Sequence, residues 1–246
     1  MRIALINPNT TPAMTALMLE AGRGVAPGDV GVHGVTVARG PAAIDGYIDE
    51  AHAACAVADW VQENRDEDGY VIACVSDTGL YPARELVDAP VVGIGEAAYL
   101  FALTLGRSFS VLTTLQRGVG PIEDRINAYG LGSRCASIRA TGIDVLRVAE
   151  STEGMDALLR EGRAAIDQDR AEVLVLGCGG MTALRAALER DLAVPVVDGV
   201  TAAVVLVVGL VRCGLRTSKH SSFGFPEPTS YLGMPSPGIP IFRSRG

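Results

Sequence analysis

The sequence predicts an α/β protein of two pseudo-symmetric lobes, each a parallel sheet covered by helices, with the active site in the cleft between them. Three observations predict this. Apolar residues make up 48% of the chain and aromatics only 5%, and the bulk is Ala, Val, Leu and Gly, which suits strands buried on both faces. Short apolar runs alternate with helical patterns along the whole length. One stretch also repeats in register: strand, Cys74, helix and Pro90-Val91-Val92 lead to Ala97-Ala98, and strand, Cys178, helix and Pro195-Val196-Val197 lead to Ala202-Ala203. Cys to Pro is 16 residues in the first copy and 17 in the second. Self-similarity over such a span points to duplicated units. The bland alternative is that all α/β units look alike and Pro-Val-Val recurs by chance.

The elements follow in order. Arg2 to Ile6 is a β-branched run ending at Asn7-Pro8-Asn9-Thr10-Thr11, a strand and polar turn in which Thr10 or Thr11 caps a helix with Pro12 in its first turn. Val30 to Val37 alternates as a strand, Gly40 to Gly46 is a loop, and Tyr47 to Arg65 reads as a helix with Ala, Val and Trp60 on its buried face. Gly69 to Ala73 is a buried strand with Cys74 at its C-terminal end, followed by a loop and a short helix through Leu86. Pro90 to Ile94 is a strand and Glu96 to Leu105 a helix. The second half repeats the plan. Strands fall at Phe109 to Leu112, Ser137 to Arg139, Val173 to Leu176 and Val194 to Val197; helices fall at Gly120 to Tyr129, Met155 to Gln168, Thr182 to Arg190 and Thr201 to Arg212. The pairs Asn9-Thr10 and Thr113-Thr114 form a second, weaker correspondence. From Thr217 the chain is rich in Ser, Pro and Gly, an irregular tail draped over a domain or partly disordered. A length of 246 residues allows one to two domains of ~150 residues. The repeat divides it into a first lobe of residues 1–98 plus 204–246 and a second of 99–203.

Composition excludes several functions. The net charge is −7 and the pI about 5.0. With no basic block, the chain lacks the clustered Lys and Arg that bind phosphates, so no nucleic-acid partner is expected. Of 21 basic residues only Lys219 is a lysine, and it lies in the polar tail, which argues against a pyridoxal phosphate Schiff base. Gly93-x-Gly95 lacks the full dinucleotide fingerprint. His33, His52 and His220 have no partners at suggestive spacing, and no Cys pair has metal spacing, so no metal and no cofactor is expected. The apolar run Val194 to Val211 is broken by Pro195, Asp198, Gly199 and Gly209, so it reads as strand, turn and helix rather than a membrane span. An odd number of scattered cysteines without a signal peptide predicts reduced thiols in a cytoplasm.

Those five cysteines divide by position. Cys55, Cys135 and Cys213 fit small buried hydrophobes. Cys74 and Cys178 each follow a buried strand and precede a turn and helix, at the edge where open α/β sheets bind ligands. Helix-start N–H groups there can stabilise a thiolate, and Gly177, Gly179 and Gly180 let a ligand approach the backbone. Two thiols on opposite walls of a cleft suit proton transfer on both faces of one carbon: a thiolate removes the proton from one face and a thiol returns one to the other. The planar intermediate carries its charge on an adjacent carbonyl oxygen, which strand-end N–H groups and small polar side chains can stabilise. Asn9, Ser76, Thr113 and Thr114 are the candidate substrate contacts, together with Gly179 and Gly180. Capping and turn roles compete for Asn7, Asn9 and Ser76, and Asp77 and Asp198 read as loop-orienting or helix-capping residues.

Four segments carry a family resemblance: Asn7-Pro8-Asn9-Thr10-Thr11, Gly40-Pro41-Ala42-Ala43-Ile44-Asp45-Gly46-Tyr47, Ala73-Cys74-Val75-Ser76-Asp77-Thr78-Gly79 and Leu176-Gly177-Cys178-Gly179-Gly180-Met181. In this order over roughly residues 1 to 220, the chain resembles the hydantoin and allantoin racemases of the aspartate/glutamate racemase superfamily. The resemblance implies that Cys74 and Cys178 are the paired acid/base thiols. It also implies a cyclic ureide substrate (a 5-substituted hydantoin or allantoin), no cofactor, and a homo-oligomer. The family usually carries Phe where this chain has Val75, Pro where it has Thr78, and Ala where it has Gly179. Losing the Phe takes a ring from the pocket wall, and losing the Pro is expected to loosen the loop. Two alternatives remain: another enzyme on the scaffold (an amino-acid racemase, a decarboxylase or a cis–trans isomerase), or a non-catalytic binder of a small ligand. Decarboxylases of the superfamily typically keep one Cys and binding alone would need neither, so filled Cys positions on both walls favour two-base chemistry.

Overall fold

A computed structural model of the chain describes residues 1–144, 147 and 152–227. It holds two four-stranded parallel sheets. The first contains β1 (Arg2–Asn7), β2 (Gly31–Thr36), β3 (Gly69–Ile72) and β4 (Val91–Gly93) in the order β2-β1-β3-β4. The second contains β5 (Phe109–Thr113), β6 (Cys135–Ala140), β7 (Val173–Leu176) and β8 (Val196–Val197) in the order β6-β5-β7-β8. The two orders are the same, with β5 to β8 standing for β1 to β4. β1, β3, β5 and β7 are buried almost throughout, as the unalternating apolar runs require.

The helices are α1 (Pro12–Val25), α2 (Tyr47–Glu63), α3 (Leu80–Leu86), α4 (Ile94–Leu105), α5 (Val119–Ala128), α6 (Thr152–Asp167), α7 (Arg185–Leu192) and α8 (Gly199–Arg212). α4 follows the first sheet but packs on β5, β7 and β8 of the second; α8 follows the second sheet but packs on β3 and β4 of the first. The two helices also pack on each other, and their starts nearly touch: a Cβ on Gly199 would lie 2.4 Å from the Ile94 carbonyl oxygen. Their contacts join both lobes in one apolar core that includes Ile94, Tyr99, Phe109, Val200 and Val204.

Four local expectations change. Thr11 occupies the N-cap of α1 but does not cap it; its hydroxyl donates to the Ala42 carbonyl at 2.7 Å, and Asn9 Oδ1 takes the Thr11 N–H instead. The helix expected at Thr182 begins as a 3-10 turn over Gly179–Leu184, because the paired glycines follow directly on Cys178. Trp60 is only half-buried; Ala53, Ala56, Val57 and Val61 form the inner face of α2. The weaker repeat shifts by two residues: pairing of Ile6 with Ile72 and of Leu112 with Leu176 makes Asn7, not Asn9, the counterpart of Thr113.

The start of the tail drapes over α3. Thr217 N–H donates to the Asp88 carbonyl at 2.8 Å, Lys219 Nζ donates to the carbonyls of Arg84, Glu85 and Phe223, and the Phe223 ring sits 5.7 Å from that of Tyr81. Residues 228–246 lie outside the described residues. No helix among the described residues is long and apolar enough to cross a membrane.

Candidate active site

Parallel pairing brings the C-terminal ends of β1, β3, β5 and β7 to facing edges of the two sheets. Cys74 stands two residues beyond the end of β3, and Cys178 two residues beyond the end of β7. Both thiols line one pocket between the lobes, together with Asn9, Ser76, Thr113, Thr114 and Gly179. Gly180 is not on the pocket wall; its N–H bonds the Cys178 sulfur. Cys135 is half-buried on β6, Cys55 and Cys213 are exposed, and all five cysteines are free. Exposure corrects the reading of Cys55 and Cys213 as packing residues: Cys55 sits on the outward face of α2, and Cys213 stands at the C-cap of α8. His33 lies on β2 with Nε2 3.5 Å from Glu67, away from the pocket.

Each thiol has its own polar cradle. Cys74 Sγ is 3.3 Å from Ser76 Oγ and receives the Thr78 hydroxyl at 3.7 Å, while Ser76 and Thr78 bond each other at 3.0 Å. Thr78 therefore ties the loop to Ser76 and Cys74. Ser76 bonds side chains rather than capping α3. Burial pushes the Cys74 thiol up, partly offset by these donors. Burial also pushes Cys178 up, to about 12, offset in part by the Gly180 N–H and reinforced by Cys74 across the pocket. Charge on one thiol thus opposes charge on the other, so one member stays protonated.

Asp77 fixes the first thiol's loop. Its backbone is left-handed, with φ +52°, a conformation Asp tolerates better than most residues. Oδ1 accepts the Gly95 N–H at 2.9 Å and Oδ2 the Glu96 N–H at 2.8 Å, so Asp77 holds the start of α4. Asp198 does the same locally for α8, accepting from Val200 and Thr201, and takes the Thr182 hydroxyl at 2.7 Å. Asn7 is fully buried, with Nδ2 donating to Asn9 Oδ1 at 2.8 Å and Thr15 Oγ1 at 3.0 Å. That bond and the one from Thr11 occupy Asn9 Oδ1 and leave its amide nitrogen 3.5 Å from Met14 Sδ on the pocket wall.

Several residues of the site escape sequence reasoning. Asp45 and Glu50 line the pocket, and burial raises both carboxyls above their usual range. Glu50 looks like an ordinary acid in a helix first turn; only its place after the quoted Asp45-Gly46-Tyr47 segment signals a site. Arg125 reaches from α5 across the lobes, its Nε donating to the Ser76 carbonyl at 2.9 Å and its guanidinium 5.1 Å from the Tyr81 ring centre. Tyr47 spans the same gap, donating to Asp124 at 2.7 Å. No Lys, Arg or His lines the pocket among the described residues.

A profile of the Asp/Glu/Hydantoin racemase family matches residues 3–207. The chain is 40% identical to the hydantoin racemase of Pseudomonas sp. (strain NS671) over 236 residues, 95% of each chain. It is 41% identical to that of Rhizobium meliloti, over 95% of this chain and 98% of the other. The crystal structure of allantoin racemase from Pseudomonas fluorescens superposes with a TM-score of 0.92 at 42% identity, covering 95% of this chain and all of that one.

Proposed function

The chain belongs to the Asp/Glu/Hydantoin racemase family and is a racemase, and we propose that it inverts C5 of a 5-substituted hydantoin or of allantoin by passing a proton between Cys74 and Cys178, without a cofactor. One thiolate takes the C5 proton, the ring flattens with the charge on the neighbouring carbonyl oxygen, and the opposite thiol delivers its proton to the other face. The thiol that gave its proton is then the thiolate, ready for the reverse reaction. Thr113, Thr114 and the backbone at Gly179 stand at the strand ends where that oxygen would be stabilised.

The observation that carries this reading is the pocket's chemistry: two thiols from equivalent strand ends, two carboxylates and, among the described residues, no cation. A dicarboxylate amino acid entering such a pocket would meet Asp45 and Glu50 as like charges, whereas a neutral ring rich in N–H donors and carbonyls meets acceptors and small polar groups. Incubation in D2O with chiral hydantoins, allantoin, aspartate and glutamate tests it. Deuterium enters C5 of a hydantoin or of allantoin as optical rotation decays; exchange only into aspartate or glutamate would sink the reading.

Five free thiols suit a reducing compartment, and the reading includes a cytoplasmic location. It also includes a homo-oligomer, for which the exposed Leu100, Leu105 and Val205 on the paired helices α4 and α8 offer an apolar face.

A further inference from the structure

Glu50 presents an anomaly. Its Oε1 is buried and has no hydrogen-bond partner, although the side chain lines the pocket. The Ser76 hydroxyl bonds the carboxylate and reduces the rise that burial imposes on it. A buried acceptor left unmatched is costly, so the geometry asks for a donor that arrives with the ligand. The neighbouring charges are not that donor. Asp49 and Asp124 are acids, and Arg125 is committed to the Ser76 carbonyl.

We propose that Glu50 is the substrate-anchoring residue, with Oε1 accepting the ring N1–H of the cyclic ureide. The inference rests on the racemase reading above and deepens it. N1 is the nitrogen bonded to C5, and Glu50 stands one hydroxyl away from the thiol that faces C5: Ser76 Oγ bonds the Glu50 carboxylate and lies 3.3 Å from Cys74 Sγ. N3, flanked by the two ring carbonyls, lies across the ring. Anchoring N1 also turns the C4 carbonyl, where charge develops, away from the carboxylate and towards the second lobe's strand ends. Glu50 thus sets which way the ring lies, which the two thiols flanking C5 cannot do alone.

The test compares a parent hydantoin with its N1-methyl and N3-methyl derivatives in wild type, Glu50→Gln and Glu50→Ala. In wild type, N1-methylation lowers kcat/KM by about 10- to 100-fold, the range expected for losing a hydrogen bond to a charged group, and N3-methylation lowers it far less. In Glu50→Ala the parent loses a similar factor, mainly through KM, and the N1-methyl penalty shrinks to within a few-fold. Glu50→Gln, which keeps a neutral acceptor and the side-chain volume, falls between and serves if the Ala variant does not fold. A full N1-methyl penalty in folded Glu50 variants, or a larger penalty at N3, overturns the anchor while leaving the racemase reading intact. If wild type racemises no parent hydantoin and no allantoin, the reading itself falls and takes the anchor with it.

Discussion

Tyr129 donates its hydroxyl to Asp77 Oδ2 at 2.6 Å. The bond runs from the end of α5 in the second lobe to the loop that carries the first thiol. Asp77 also accepts the Gly95 and Glu96 N–H groups in the first turn of α4, so one buried carboxylate couples the loop that carries Cys74, a helix start and the opposite lobe.

Burial raises the Asp77 carboxyl to about 7 from an ordinary 3.8, despite its three donors. Between those values the native chain holds a proton that the unfolded chain has released. Stability is therefore fully present below about pH 4 and falls as pH rises through about 7. Urea unfolding should show wild type losing a few kcal/mol across that window, with a flatter profile for Asp77→Asn, which suits the left-handed backbone. Equal slopes for the two proteins would count against this role.

Cys74→Ser and Cys178→Ser should each abolish racemisation while leaving the circular dichroism spectrum unchanged. Each variant keeps one thiol, so each should still exchange the C5 proton of one enantiomer, and the two variants should choose opposite enantiomers. NMR in D2O, run on each pure enantiomer, reads this directly. Either variant remaining fully active would end the two-thiol mechanism.

Burial pushes both site thiols above the usual thiol range. In the proposed mechanism the base is a thiolate, so kcat/KM should climb steeply from about pH 6 to beyond about pH 8, approaching tenfold per pH unit below the first ionisation of the pair. A plateau below about pH 7 would mean that another group is the base.

Gly179→Ala tests how the second thiol's turn is packed. The added Cβ would lie 2.4 Å from Met18 Sδ, and Met18 is fully buried. Overpacking of this kind costs about 1–3 kcal/mol, measurable as a lower urea midpoint. Pairing it with Met18→Val, which opens room, should recover part of the loss and restore activity with it.

The fold and the thiol pair were legible because both rest on chain-local signals. Buried parallel strands read as unbroken apolar runs, and the repeat of Cys74 and Cys178 survives in linear order. What stayed hidden depends on contacts between distant segments. Glu50 faces the pocket only because α2 packs beside the β3 loop, and Arg125 and Tyr129 act only where the lobes meet. The hydroxyl network that joins Thr78 to Ser76 and Cys74 depends on the folded turn, which the residue types alone do not draw. Asn9 was placed at the pocket, but its counterpart in the repeat could not be fixed without strand register.

The crossing of α4 and α8 makes the duplication a marriage rather than a tandem. Each half-chain spells out its own four strands, yet the helix that seals one sheet is encoded after the other. A fragment ending at Gly106, just after α4, would expose the oily back of its sheet, and so would its complement. Mixed together, the two fragments have what each lacks. Co-expression should therefore yield a soluble, active heterodimer from pieces that aggregate apart, and the intact chain should melt in a single step.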